Sequence, residues 1–170
     1  MKRLPNSDTG FTLVELLIAV GIIAIMTSIA IPNYLNKIRE QELKNGAQQI
    51  LTDIRRANVK AQTSIEGTGW VVKVTGSTGT YSVYKCSDTV NAIFTDTLKP
   101  ANLQFTSSQE LYFQKNTGVL LAGSCSGANL GASVQIKVKN TKLTNTCTVI
   151  NVSSSGTISY DETRSITSCT

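Results

Sequence analysis

Histidine is absent from this 170-residue chain, which removes the commonest general base near neutral pH and the commonest metal ligand. None of the four cysteines, Cys86, Cys125, Cys147 and Cys169, forms a CxxC pair, so a zinc site or a redox dithiol motif is not supported. No glycine-rich phosphate loop is present; Gly67-Thr68-Gly69 lacks the residues that would make it one. With no base, nucleophile pairing or metal set, the chain is not expected to be an enzyme, and no cofactor or metal site is expected. Charge is also modest: 16 Lys and Arg against 11 Asp and Glu give a net +5. That balance permits weak attraction to anionic surfaces without arguing for a nucleic acid partner.

What the chain does have is unevenly placed. Its length fits one domain, but the apolar residues are dense between Phe11 and Ile31, whereas the rest is rich in Thr, Ser, Asn and Gly. Residues 11–31 read FTLVELLIAVGIIAIMTSIAI, with Glu15 as their single charge. As a helix this run spans about 31 Å, the thickness of a bilayer's hydrocarbon core. A cleaved secretory signal would end in small residues, whereas this run continues through Pro32, Asn33 and Tyr34 into a further helical pattern, so the segment is expected to stay in the mature protein. Basic residues flank both ends, Lys2 and Arg3 before and Lys37, Arg39 and Lys44 after, and give no orientation. The cysteines do: an even number in a polar, β-rich region suggests two disulfides, an oxidising compartment and an exported C-terminal part.

Glu15 is the residue that apolar chemistry does not explain, because an ionisable group in such a helix costs a few kcal/mol unless it is paired or reaches the interface, roughly 2.5–3.5 on insertion scales. Gly21 and Pro32 are weak helix formers within and just after the run and are candidate kink positions. Beyond them Leu43, Ala47, Ile50, Leu51, Ile54, Ala57 and Ala61 fall on one helical face, with Asn45, Gln49, Thr52, Arg56 and Lys60 opposite. The helix is expected to run to about Gln62, with Gly46 a soft spot and the basic cluster Arg55, Arg56 and Lys60 on a solvated face.

From Trp70 the period changes towards two. Trp70–Val74 and Thr80–Tyr84 flank Gly76-Ser77-Thr78-Gly79 and predict a hairpin. Further strands are expected at Glu110–Gln114, Gly118–Leu121, Ser133–Lys139, Thr146–Val152 and Thr157–Tyr160, separated by turn chemistry. Ser87–Ser108 shows no steady period and reads as a long surface connection. Trp70, Tyr81, Phe105, Tyr112 and Phe113 read as core or cross-strand aromatics, not as a ligand surface. The expected fold class is α+β: a long N-terminal helix packed on an antiparallel sheet.

Gly10-Phe11-Thr12-Leu13-Val14-Glu15, behind a short basic leader and before an unbroken apolar stretch, resembles the prepilin motif of the type IV pilins and type II secretion pseudopilins. Pro32 and Tyr34 also suit that family. The resemblance implies a leader, residues 1–10, cut off by prepilin peptidase after Gly10. It implies N-methylation of the new terminus Phe11, and a filament-assembly role for Glu15, which would meet the charged amine of a neighbouring subunit. It implies residues 11–32 as a transmembrane and assembly helix, 33–62 as its amphipathic continuation and 63–170 as a pilin-like head. Loss of the leader leaves 14 basic and 10 acidic side chains, net +4. The implied partners are other pilin subunits, prepilin peptidase and an inner-membrane assembly platform, and the implied location is the bacterial cytoplasmic membrane, then a pilus or pseudopilus.

Leu111-Tyr112-Phe113-Gln114-Lys115-Asn116-Thr117-Gly118, before a closing hairpin, resembles the GspH/FimT type of minor pilin. Members associated with DNA capture carry a Gly-Arg-x-Arg motif where this chain has Gly156-Thr157-Ile158-Ser159, which argues against DNA binding by that route. Four cysteines allow three pairings; the expected one is Cys147 with Cys169, tying the C-terminal tail to a strand much as in several pilins, and Cys86 with Cys125. Two functions follow: a structural subunit that works by polymerising, or a minor or tip subunit whose head binds DNA or a surface.

Overall fold

The computed structural model describes residues 11–63, 67–144 and 146–165. One helix, α1 (Leu13–Thr63), is followed by nine strands: β1 (Trp70–Val74), β2 (Thr80–Lys85), β3 (Phe94–Thr97), β4 (Leu103–Phe105), β5 (Gln109–Phe113), β6 (Leu120–Leu121), β7 (Val134–Asn140), β8 (Thr146–Val152) and β9 (Ile158–Ser165). By contacts the chain divides into two compact units, residues 1–37 and 38–170. The second holds a core that α1 shares with the strands.

The strands form two antiparallel sheets, where the sequence predicts one: β3-β2-β1-β5-β6 and β4-β7-β8-β9. The extra strands β3 and β4 lie inside Ser87–Ser108, the stretch read as a surface connection. Each is only three or four residues long, too short to show a period. The sheets meet where the β1–β2 turn reaches β4: Ser77 N–H donates to Phe105 O at 2.9 Å and Phe105 N–H to Thr78 O at 2.8 Å.

The helical stripe is as the sequence predicts. Leu43, Ala47, Ile50, Leu51, Ile54, Ala57 and Ala61 are all buried, against Trp70, Val72, Tyr81, Val83, Leu111 and Phe113 of the first sheet and Ile136, Val138, Ile150 and Val152 of the second. Antiparallel register keeps these alternating residues on one face, with Val72 opposite Val83 and Leu111. The five aromatics expected in the core are all buried. Gly46 also has a packing role: it is buried, and a Cβ there would press on Leu103 Cδ1, which would have to shift.

Polar side chains fasten α1 at fixed heights. Near its entry to the core, the buried Asn140 donates to Arg39 O and Glu42 Oε2, both at 3.3 Å, and accepts from Asn102 Nδ2 at 2.9 Å. Gln49, placed by the sequence on the outward face, is half-buried and donates to Asp96 Oδ2 at 3.0 Å and Thr97 O at 3.2 Å. Near the helix end, Asn58 donates to Gly118 O at 2.8 Å, and Asn116 N–H caps the carbonyl of Ala61 at 2.9 Å. The β8–β9 turn closes on the same point, with Leu120 N–H donating to Ser154 O at 3.0 Å.

Gly156 makes that closure possible. Its φ is +81°, and a Cβ would lie 2.2 Å from Gly118 O and 2.8 Å from Asn58 Nδ2. Left-handed backbone costs a side chain roughly 1–2 kcal/mol, and disturbing a buried hydrogen bond costs about 1–3 kcal/mol more. Gly156→Ala is therefore expected to destabilise the domain by roughly 2–5 kcal/mol, measured by chemical denaturation. An unchanged midpoint would refute the close-packing role.

Candidate functional site: the apolar N-terminal helix

Most of the exposed large apolar side chains among the described residues form one continuous block, from Phe11 (84% exposed) through Leu13, Leu17, Ile22 and Met26 to Ile31 (51%), while Val59, Val90 and Ile93 are exposed singly elsewhere. Its most apolar 18-residue window has a mean hydropathy of 2.5, and none of that window is buried in the chain itself. Water is therefore the wrong solvent for this surface: each aliphatic side chain left exposed forgoes about 1.5–3 kcal/mol of burial. A lipid phase or a bundle of like helices supplies what the chain does not.

The start of the helix is set by Thr12. Its Oγ accepts the Glu15 N–H at 3.2 Å and its carbonyl accepts the Leu16 N–H at 3.2 Å, which makes Thr12 the N-cap. Phe11 and Thr12 stay outside the helix and Glu15 lies in its first turn, where a carboxylate complements the partial positive charge of the helix end. Thr12-Leu13-Val14-Glu15 has the spacing of a capping box. That signal is legible in the sequence, overlapping the residues that carry the prepilin resemblance.

Within the apolar run the few polar groups are satisfied locally. Thr27 Oγ1 donates to Ile23 O at 2.7 Å and Ser28 Oγ to Ile25 O at 2.7 Å, so neither hydroxyl needs an outside partner. The helix continues unbroken through Gly21 and Pro32, the two candidate kink positions. Gly10 and Cys169 lie outside the described residues.

In the second unit the expected Cys86–Cys125 disulfide is present. Cys147 is also disulfide-bonded, and no described cysteine is a free thiol. The basic cluster is engaged with its surroundings: Arg56 pairs with Asp53 at 3.3 Å, Arg55 donates to Ile158 O at 3.4 Å, and the Lys60 ammonium stands 4.5 Å from the centre of the Trp70 ring. A cleft of about 130 Å³ opens beside Asp53, Arg56, Lys60, Trp70 and Phe94. No group of three or more His, Cys, Asp or Glu among the described residues could hold a metal ion.

Two tyrosines have displaced ionisation. Burial, then its bond to Asp53 Oδ2 at 2.6 Å, raises Tyr81 well above the ordinary phenol value. The Tyr112 hydroxyl donates to Glu110, which with partial burial raises it to about 12, while Glu110, accepting that bond and facing Lys73 at 3.2 Å, is lowered.

The prokaryotic N-terminal methylation motif family model matches residues 5–31. Prepilin peptidase-dependent protein D of Escherichia coli (strain K12) is 40% identical over 61 residues. That match spans 36% of either chain, so the chain covers about a third of that relative's length. Two crystal structures of the type IV minor pilin FimU of Pseudomonas aeruginosa (strain PAO1) share the fold. One has a TM-score of 0.53 at 14% identity, covering 71% of this chain and 89% of that one. The other has a TM-score of 0.51 at 12% identity, covering 70% and 92%.

A phenol whose folded pKa is raised stabilises the fold while protonated; that contribution is complete below the ordinary value near 10 and is lost as pH rises through the folded value. Subtracting the alkaline absorbance titration of Tyr112→Phe from that of the parent should therefore leave a phenolate rising near pH 12. A difference curve centred near pH 10 would remove the Tyr112–Glu110 coupling.

Proposed function

We propose that this chain, type IV pilin-like in its N-terminal motif and its fold, is a structural subunit of a type IV pilus or pseudopilus. In this reading it is made as a precursor, cut between Gly10 and Phe11, methylated at Phe11 and polymerised through α1. The observation that carries the reading is the exposed apolar block of residues 11–31 with a single carboxylate in the first turn of its helix. Such a surface suits two successive environments: the cytoplasmic membrane, where the subunit waits as a single span with its head exported, and a filament core made of neighbouring helices.

The order of events follows from charge. Before cleavage the residue 11 nitrogen is an amide; after it, an ammonium sits four residues ahead of Glu15. In an apolar bundle an isolated carboxylate or ammonium is costly, but the two offset one another when the amine of one subunit docks against Glu15 of the next. That pairing sets the axial stagger, and only a processed subunit can take part. Thr12 supports the geometry by starting the helix at Leu13, which leaves the new terminus outside the helical hydrogen bonding. Gly21 and Pro32 are the positions where the helix can bend to fit its neighbours, since a proline removes one backbone donor and a glycine adds conformational freedom.

Glu15→Ala should be cleaved normally yet appear in sheared filaments at a small fraction of the parent level, on the order of a tenth if the docked pair is worth about 1.4 kcal/mol. Parent-like incorporation would sink the pairing role. In contrast, Gly10→Val should accumulate as a longer precursor on gels, because a branched side chain crowds the scissile bond. Complete maturation of that variant would remove the processing step from the proposal.

A further inference from the structure

The first sheet has a second apolar cluster on the face turned away from α1. Val71, Tyr112 and Leu121 are 0%, 9% and 4% exposed there, with Tyr84 and the two cysteines of the Cys86–Cys125 bridge packed against them. This cluster is separate from the main core, which lies on the other side of the same strands. Part of its cover is the bridge itself, and Cys125 belongs to the loop after β6, Ala122-Gly123-Ser124-Cys125-Ser126-Gly127-Ala128, whose other residues are small and mostly exposed.

The loop is closed at its neck by Ala122 N–H to Ala128 O at 2.9 Å and Leu130 N–H to Leu120 O at 2.8 Å. Its tip is different: the described backbone bonds, Ser124 N–H to Ala122 O and Gly127 N–H to Ser124 O, stay within the loop. The bridge from Cys125 to Cys86 is the covalent tie from tip to sheet, and Cys86 is itself fixed at the end of β2 by its N–H to Gly69 O at 2.9 Å.

We infer that Cys86–Cys125 is a local latch: it holds Cys125, and with it the tip of the 122–128 loop, against the Val71, Tyr112 and Leu121 cluster, and its reduction opens that face while the helix-and-sheet core stays folded. A dithiol supplies the chemistry. One thiolate attacks a bridge sulfur, the second displaces it, and the reagent ends as a disulfide while Cys86 and Cys125 take up two electrons and two protons. The latch closes where thiols are oxidised, so this face of the head is finished only in an oxidising compartment. Until then the chain displays a small patch of tyrosine, valine and leucine that the mature head conceals.

Hydrogen–deuterium exchange on the full chain in detergent micelles tests this, comparing the parent with Cys86→Ala/Cys125→Ala, which leaves the other cysteines intact. Amides of residues 122–128 should exchange at least tenfold faster in the variant, with those of Leu43–Ala61 within twofold of the parent. Nitration of Tyr112 by tetranitromethane should rise several-fold relative to Tyr84, already part-exposed in the parent. Unchanged loop exchange overturns the latch, because the neck bonds then suffice. A parallel rise at Leu43–Ala61 also overturns it, since the bridge would then hold the whole domain. If the double variant does not fold, dithiol added to the folded parent decides the same question in time, with thiol alkylation following Cys86 and Cys125 separately from Cys147: while Cys147 is still bridged, loop exchange rising before that of the helix supports the latch, and simultaneous rise rejects it.

Discussion

The arrangement of the head rests on the point where the Asn58 side chain meets the Gly118 carbonyl, with Gly156 packed directly against both. Three segments far apart in sequence converge there: the last turns of α1, the β5–β6 turn of the first sheet and the β8–β9 turn of the second. A buried amide cannot be left without partners, since an unpaired group costs on the order of 1–3 kcal/mol. Asn58 therefore does more than fill space. It permits one rotation of the helix relative to both turns, and the apolar stripe of Leu43 to Ala61 can reach the two sheets together only in that rotation.

The same helix answers to two solvents. Beyond Leu43 its apolar face finds partners within the chain; between Phe11 and Ile31 it finds none there. A continuous helix can carry both halves because backbone hydrogen bonding is satisfied within the segment in water, in lipid and among other helices. Side chains alone decide which environment each half requires. Thr12 and the back-bonded Thr27 and Ser28 keep the apolar half from exposing unpaired polar groups of its own, which leaves Glu15 as its one chemically distinctive group.

Long periodic features were readable from the sequence, and short ones were not. The helical stripe, the first hairpin and strands such as β8 announce themselves because seven or more spaced residues, or a clear turn, define a period. β3 and β4 escaped because four and three residues define none; β3 pairs with the preceding strand β2 across an irregular loop, and β4 pairs with β7, which is remote in sequence. Three of the second sheet's four strands were expected, but their separation from the first sheet was not. Gly46 and Gly156 look like ordinary helix weakening and turn chemistry until the atoms they make room for, Leu103 Cδ1 and Gly118 O, are in place. At the N-terminus legibility was greatest, because the motif there is recognised by a linear order of residues, Gly10, Phe11 and Glu15 among them, and needs no tertiary contact to be seen. Even so the cap at Thr12 was overlooked, its spacing masked by the stronger signal it overlaps.

The polar attachments of α1 are distributed along its length, at Glu42 with Asn140, Gln49 with Asp96, Asn58 with Gly118 and Ala61 with Asn116. This spacing has a mechanical consequence. Tension applied along the helix axis loads these bonds side by side, in shear, together with the interlocked apolar stripe between them. Rupture then requires several attachments to fail at once, whereas a head held at one end would peel away bond by bond. A domain built this way transmits pull from the helix it holds into both sheets without concentrating it at any single contact.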